Sequence, residues 1–180
     1  MKQLETPLKD LFVIEPTVFG DDRGFFYEGF NAEKFAAMGV DFTVKQVNIS
    51  RSAKGVLRGL HFQLPPKAQA KYVRCTRGRL WDAVVDLRKD SPTYLKWYGV
   101  ELSEANKLML FVPAGFGHGF YALEDCDMEY LVSDTYSAEL DGCVRFDDPA
   151  FGIEWPVEGE PVLSAKDEAA PSYANLNLPF

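Results

Sequence analysis

The chain has 180 residues, 47 % of them apolar and 26 % charged, with 19 basic against 27 acidic side chains for a net charge of −8. That length makes one domain whose core needs no cross-links, and the composition excludes wholesale disorder. The acidic balance excludes a generally basic nucleic-acid footprint, yet leaves room for a local cluster of Arg and Lys around a small anion.

The N-terminus, Met1 to Asp10, has no apolar core of the kind a secretion signal needs. A first helix is predicted where Asn31 can cap it, Glu33 favours its first turn, Phe35 and Met38 share a face and Gly39 stops it. After it, β-branched and aromatic runs dominate. Strands are predicted at 44–49, 56–63, 70–76, 80–87, 97–102, 108–112, 120–123, 128–133 and 143–146, punctuated by turn residues at intervals of roughly ten. No strand–helix alternation appears, so a parallel sheet is not expected. Many short strands without a repeat predict an all-β sandwich or barrel, the jelly roll first among them, with only short peripheral helices. The tail from about 156 to 180 carries Pro156, Pro161, Pro171 and Pro179, and is expected to wrap the barrel as irregular chain with a turn of helix. The most apolar stretch starts at Leu108 and is cut by Pro113 and three glycines, short of the ~20 residues a membrane helix needs. Cys75, Cys126 and Cys143 are odd in number and lack C-x-x-C spacing, which fits free thiols in a reducing cytoplasm.

Only two histidines occur, His61 and His118, with no H-x-H, so a protein-ligated metal is not expected. A lone strand histidine is most often structural, but Arg58, Gly59 and His61 in one strand make a poor apolar core. Strict alternation sends Arg58 and His61 to opposite faces, and a bulge at Gly59 would bring both to one face. Gln46 and Asn48 share a face, Lys71 lies mid-strand with Val73 and Cys75, and Tyr130 and Tyr136 have the same parity. Several strands that each place one polar residue where a core residue would serve imply a polar, aromatic-lined interior. Gly115 to Gly119 fails the dinucleotide pattern and reads as a turn presenting His118. Asp147 and Asp148 read as turn residues.

Six blocks carry a resemblance to a known family. They are residues 18–26 (VFGDDRGFF), 56–63 (VLRGLHFQ), 68–73 (AQAKYV), 85–93 (VDLRKDSPT), 112–120 (VPAGFGHGF) and 163–167 (LSAKD). In this order they closely resemble dTDP-4-dehydrorhamnose 3,5-epimerases, from about Leu11 to Pro171. The resemblance implies a single domain over 1–180 with a cupin-type jelly roll and no cofactor or metal. It implies a homodimer that exchanges its N-terminal strands, about residues 1–30. It also implies a dTDP-linked 4-keto sugar substrate, epimerised at C3 and C5, with neither nucleic acid nor membrane as partner. Carried over by position, His61 matches the general base, Asp167 its orienting partner, Lys71 the group that steadies the enolate oxygen and Tyr130 the proton donor. Tyr136 matches a second active-site tyrosine. Arg23, Glu28, Gln46, Asn48, Arg58, His118 and Lys166 match ligand-binding positions. Asp141 stands where the family usually has Glu, one methylene longer, and Phe146-Asp147-Asp148-Pro149 replaces the usual Trp-Asn-Asp. A C3-only epimerase, an enzyme for another nucleotide-linked 4-keto sugar, and a non-catalytic sugar-nucleotide-binding barrel are the alternative readings.

Overall fold

The computed structural model describes all 180 residues. In chain order it comprises β1 (Lys2–Glu5), β2 (Phe12–Glu15), β3 (Phe19–Asp21), β4 (Gly24–Phe26), α1 (Ala32–Ala37), β5 (Gln46–Ser52), β6 (Leu57–Gln63) and β7 (Lys71–Arg77). These are followed by β8 (Arg79–Asp86), β9 (Trp97–Ser103), β10 (Met109–Val112), β11 (Phe116–Ala122), β12 (Cys126–Val132), β13 (Asp141–Cys143) and α2 (Ala165–Glu168), with one 3₁₀ turn at Tyr173–Asn175. A six-stranded sheet in the order β1-β2-β10-β7-β12-β5 faces a five-stranded sheet in the order β13-β6-β11-β8-β9, and β3 and β4 form a separate hairpin. Every ladder is antiparallel. This is a cupin-like jelly roll. No helix is long and apolar enough to cross a membrane.

Period-two alternation explains the layering. Leu11, Val13, Val73, Leu110 and Val112 of one sheet meet Leu80, Val84, Leu102, Phe116 and Phe120 of the other in the central core. The alternate residues Phe12, Ile14, Tyr72, Met109 and Phe111 face outward, where Phe35 of α1 and Phe42 cover them. On the far side, Leu60, Phe62, Val85 and Leu87 are covered by Val144, Phe151 and Leu178 of the C-terminal tail. The central strands of both sheets are therefore buried on both faces, which is why they read as continuous apolar runs, whereas edge strand β5 leaves Val47 and Ile49 exposed. Helix α1 forms as predicted: the Asn31 side chain accepts from the Lys34 N–H, and Gly39 follows the C-cap with φ +79°.

Two predicted features are corrected. Of the Gly115–Gly119 run only Gly115 lies in a turn, with φ +88°; β11 begins at Phe116 and carries His118 within the strand. Glycine serves close packing here. A Cβ on Gly117 would lie 3.3 Å from the Leu87 side chain, and one on Gly119 would lie 2.6 Å from the Arg58 carbonyl oxygen. The last strand lies at Asp141–Cys143, ahead of the predicted 143–146, because Phe146 and Asp147 enter the turn that Asp148 anchors. Asp148 is buried and accepts from Ser172 Oγ at 2.8 Å and the Tyr173 N–H at 2.7 Å, tying the tail down.

Candidate active site

Between the sheets lies a cleft of about 500 Å³ whose lining includes Gln46, Asn48, Arg58, His61, Lys71, His118, Tyr130, Tyr136, Asp141 and Lys166. Arg58 and His61 share it because β6 slips register against β11 between His118 and Phe120. The expected bulge is present. Gly59 takes φ +129°, and a Cβ there would meet the Gly119 Cα at 2.5 Å. The two facing glycines let the strands approach closely enough to turn both side chains inward. Gly119→Ala is expected to cost about 1–3 kcal/mol, because its Cβ meets rigid backbone. Urea unfolding checks this, and an unchanged midpoint would show that the strands separate freely.

His61 is tied to the tail. Its Nε2 lies 2.6 Å from Asp167 Oδ1. Ser164 caps α2, accepting from the Asp167 N–H at 3.1 Å and donating to Asp167 Oδ2 at 2.7 Å. The Gly59 N–H reaches Asp167 Oδ1 at 3.4 Å. Burial pushes the Asp167 carboxyl up, but the bonds from His61, Ser164 and Gly59 outweigh it and hold the group below the usual carboxylate range. An ionised Asp167 accepts the Nε2 proton, so the bare nitrogen of the neutral ring is Nδ1.

Lys71 is buried, and burial brings its ammonium down to about 8 against the opposing pull of Asp82 and Asp141. Its Nζ lies 3.3 Å from the His61 carbonyl oxygen and 3.5 Å from His118 Nδ1. Tyr130 stands on β12 in the opposite sheet from His61. Burial raises its hydroxyl pKa, which keeps it a proton carrier at neutral pH. Arg58 bonds Ser52 Oγ at 3.0 Å and the Arg51 carbonyl at 3.1 Å, both neutral, so its charge is available to an anion. At the rim, Asp141 Oδ2 accepts from Lys166 Nζ at 2.6 Å and from Tyr136 OH at 3.1 Å. Gln46 donates to Asn48 Oδ1 at 2.7 Å and accepts from the Tyr136 N–H at 2.9 Å.

Two of the expected site residues lie elsewhere. Arg23 sits at the turn of the β3–β4 hairpin with its side chain 89 % exposed and paired to Asp21. Glu28 bonds Asn31 and Lys34. Neither lines this chain's own cleft, and the hairpin that carries Arg23 pairs with no other strand. Sequence reading missed Asp82, fully buried against His118 Nε2 at 3.0 and 3.1 Å, although a carboxylate inside an apolar strand was a visible signal. It also missed Ser164 and Gln63, although both lie in the quoted blocks and Ser164 stands three residues before Asp167, the spacing of a helix cap. Gln63 accepts from the Ser137 N–H at 2.9 Å and so fixes the loop that bears Tyr136.

The family model described as dTDP-4-dehydrorhamnose 3,5-epimerase matches residues 5–175. A dTDP-4-dehydrorhamnose 3,5-epimerase of Salmonella typhimurium is 47 % identical over 170 residues, 93 % of each chain. The crystal structure of a dTDP-4-dehydrorhamnose 3,5-epimerase from Elizabethkingia anophelis superposes with a TM-score of 0.94 at 47 % identity, covering 98 % of both chains. A dTDP-6-deoxy-D-glucose-3,5-epimerase from Legionella pneumophila, solved with dTDP-4-keto-L-rhamnose, gives 0.94 at 40 % identity over 98 % of this chain and 94 % of that one.

Proposed function

Because the chain belongs to the dTDP-4-dehydrorhamnose 3,5-epimerase family, we infer that it is an isomerase that inverts C3 and C5 of dTDP-4-dehydro-6-deoxy-glucose to give dTDP-4-dehydro-L-rhamnose. The C4 ketone acidifies the neighbouring C–H bonds, since the resulting anion delocalises onto oxygen. The enzyme must remove a proton from one face, meet the oxyanion and return a proton to the other face. The observation that carries this reading is one cleft in which His61 and Tyr130 stand on opposing sheets and a buried Lys71 also lines the wall. His61 Nδ1 takes the proton, and Asp167 fixes the tautomer and balances the imidazolium that forms. Lys71 meets the enolate oxygen. Tyr130 returns the proton from the facing wall, with Tyr136 beside the mouth. Arg58 and Lys166 hold the diphosphate, which explains how a chain of net charge −8 binds a dianion. Gln46, Asn48, His118 and Asp141 complete the wall.

The working unit is a homodimer. Arg23 and Glu28 stand outside their own cleft, and Phe19, Phe25 and Phe26 are 62–65 % exposed on the hairpin. Single exposed apolar residues are ordinary, but three on one short hairpin mark a contact surface. Exchange of this segment would place Arg23 and Glu28 at the partner's cleft, while β1 and β2 stay in their own sheet. Three free thiols suit a reducing compartment and support a cytoplasmic location.

Incubation of the 4-keto sugar nucleotide with the protein in D₂O tests the activity. Proton NMR is expected to show deuterium at C3 and C5 with both centres inverted. Uptake at C3 alone would identify a C3 epimerase, and no uptake a binding barrel. Saturating dTDP is expected to raise the melting temperature, since a ligand at a hundred times its Kd adds about 2.7 kcal/mol. A shift with GDP and none with dTDP would overturn the nucleotide assignment.

A further inference from the structure

We propose that Asp82 is a positioning residue for Lys71, acting through His118 as a hydrogen-bonded relay that aims the ammonium at the substrate oxygen. The inference rests on the reading of Lys71 as the group that meets the oxyanion. Asp82 lies on β8 at 0 % exposure, in the run Leu80 to Val85. Burying a carboxylate there is costly unless it is hydrogen-bonded. Asp86, four residues on and equally buried, has an evident structural use: it binds Arg88, Ser91 and Thr93 and so ties down a surface loop. Asp82 does none of this. Both its oxygens meet a single partner, His118 Nε2, at 3.1 and 3.0 Å.

That contact fixes the imidazole. A carboxylate only accepts, so Nε2 carries the hydrogen. Burial, above all, holds the His118 imidazolium below its ordinary range, so the ring is neutral and Nδ1 is bare. An ammonium only donates, and Lys71 Nζ stands 3.5 Å from that nitrogen. A second Lys71 N–H points to the His61 carbonyl oxygen at 3.3 Å. Two of three donors are engaged, and the third is left for the cleft. The relay also acts by charge. Lys71 is faced by Asp82 and Asp141, which favour its ammonium, and by Lys166, which opposes it. His118 is faced by Asp82, Lys71 and His61. Of these groups Asp82 alone is fully buried, so its charge is the least screened by water.

The test is Asp82→Asn. An amide can turn its NH₂ toward Nε2, permit the Nδ1–H tautomer and so set a donor against Lys71. The expected loss in kcat for deuterium uptake is on the order of 10- to 100-fold, the scale seen when a group orienting an imidazole is removed. KM should change little, since the diphosphate contacts are untouched. The pH profile separates this from mere structural damage. If protonated Lys71 is required, wild-type activity falls as pH rises through about 8. Removing the anion that favours the ammonium moves that limb to lower pH. An unmoved limb overturns the relay, whatever the loss in kcat. Nitrogen-15 NMR of His118 in the unaltered protein gives a reading independent of the variant's folding: the Nε2–H tautomer with bare Nδ1 is expected, and the Nδ1–H form overturns the proposal. Wild-type protein that exchanges no deuterium would remove the epimerase reading itself, whereas wild-type exchange with an unmoved limb in Asp82→Asn removes only the relay.

Discussion

His61→Ala is expected to abolish deuterium uptake from D₂O at C3 and at C5 together. Loss of a general base costs roughly 10²–10⁴-fold, with more expected where no substitute stands near. His118 is the only other imidazole, and it is no substitute. It is buried, its Nε2 is bonded to Asp82, and its Nδ1 faces Lys71. Asp167 remains in the variant, but it is 4 % exposed and sits behind the removed ring, with its Oδ2 bonded to Ser164 Oγ at 2.7 Å and its Oδ1 3.4 Å from the Gly59 N–H. The measurement is proton NMR of the sugar signals over time. Exchange at the wild-type rate would show that another group removes the protons. Exchange lost at one carbon and kept at the other would show two separate bases.

Tyr130→Phe is expected to separate the two halves of the reaction. The substitution removes the hydroxyl on β12 and leaves His61, Asp167 and Lys71 in place. Enolate formation continues, so deuterium enters, but the proton no longer returns from the opposite wall. Exchange with retained configuration should therefore persist while inverted product falls, by on the order of 10²–10⁴-fold for loss of a positioned acid. The larger loss is expected at C5. Comparing deuterium content with product configuration in the same NMR series checks this. Normal inversion at both carbons would move the acid to Tyr136, which is 57 % exposed at the mouth, or to water.

How far the site was legible depended on the kind of signal each residue left. His61, Lys71 and Tyr130 stood out because each is a polar or titratable side chain inside an apolar strand, where period-two alternation makes it an anomaly. The Gly59 bulge was legible for the same reason, since strict alternation failed to put Arg58 and His61 together. Asp82 left an equal anomaly, but so did Asp86 in the same strand, and only the fold separates them. One faces His118 across a ladder; the other holds a loop. Gly117 and Gly119 misled because glycine serves turns, as Gly115 does, and close strand approach alike, and spacing does not say which. The strands between Lys2 and Phe26 span three or four residues each, too few for alternation to register.

The sequence by itself determined the class of fold, the helix at Asn31 to Gly39 and, through six ordered blocks, the family. These depend on local chemistry: caps, alternation, turn residues and short motifs, each complete within a few positions. Tertiary structure decided which of the polar residues meet. Asp167 lies 106 residues from His61, and the Ser164 cap, the Asp148 anchor and the covering of the outer sheet by the tail bring the two to 2.6 Å. It also decided that Arg23 and Glu28 stand away from their own cleft, Arg23 on a hairpin that finds no strand to pair with in its own chain. Contacts between residues far apart in sequence are set by how the sheets stack and where the tail folds back, and no local pattern encodes that placement.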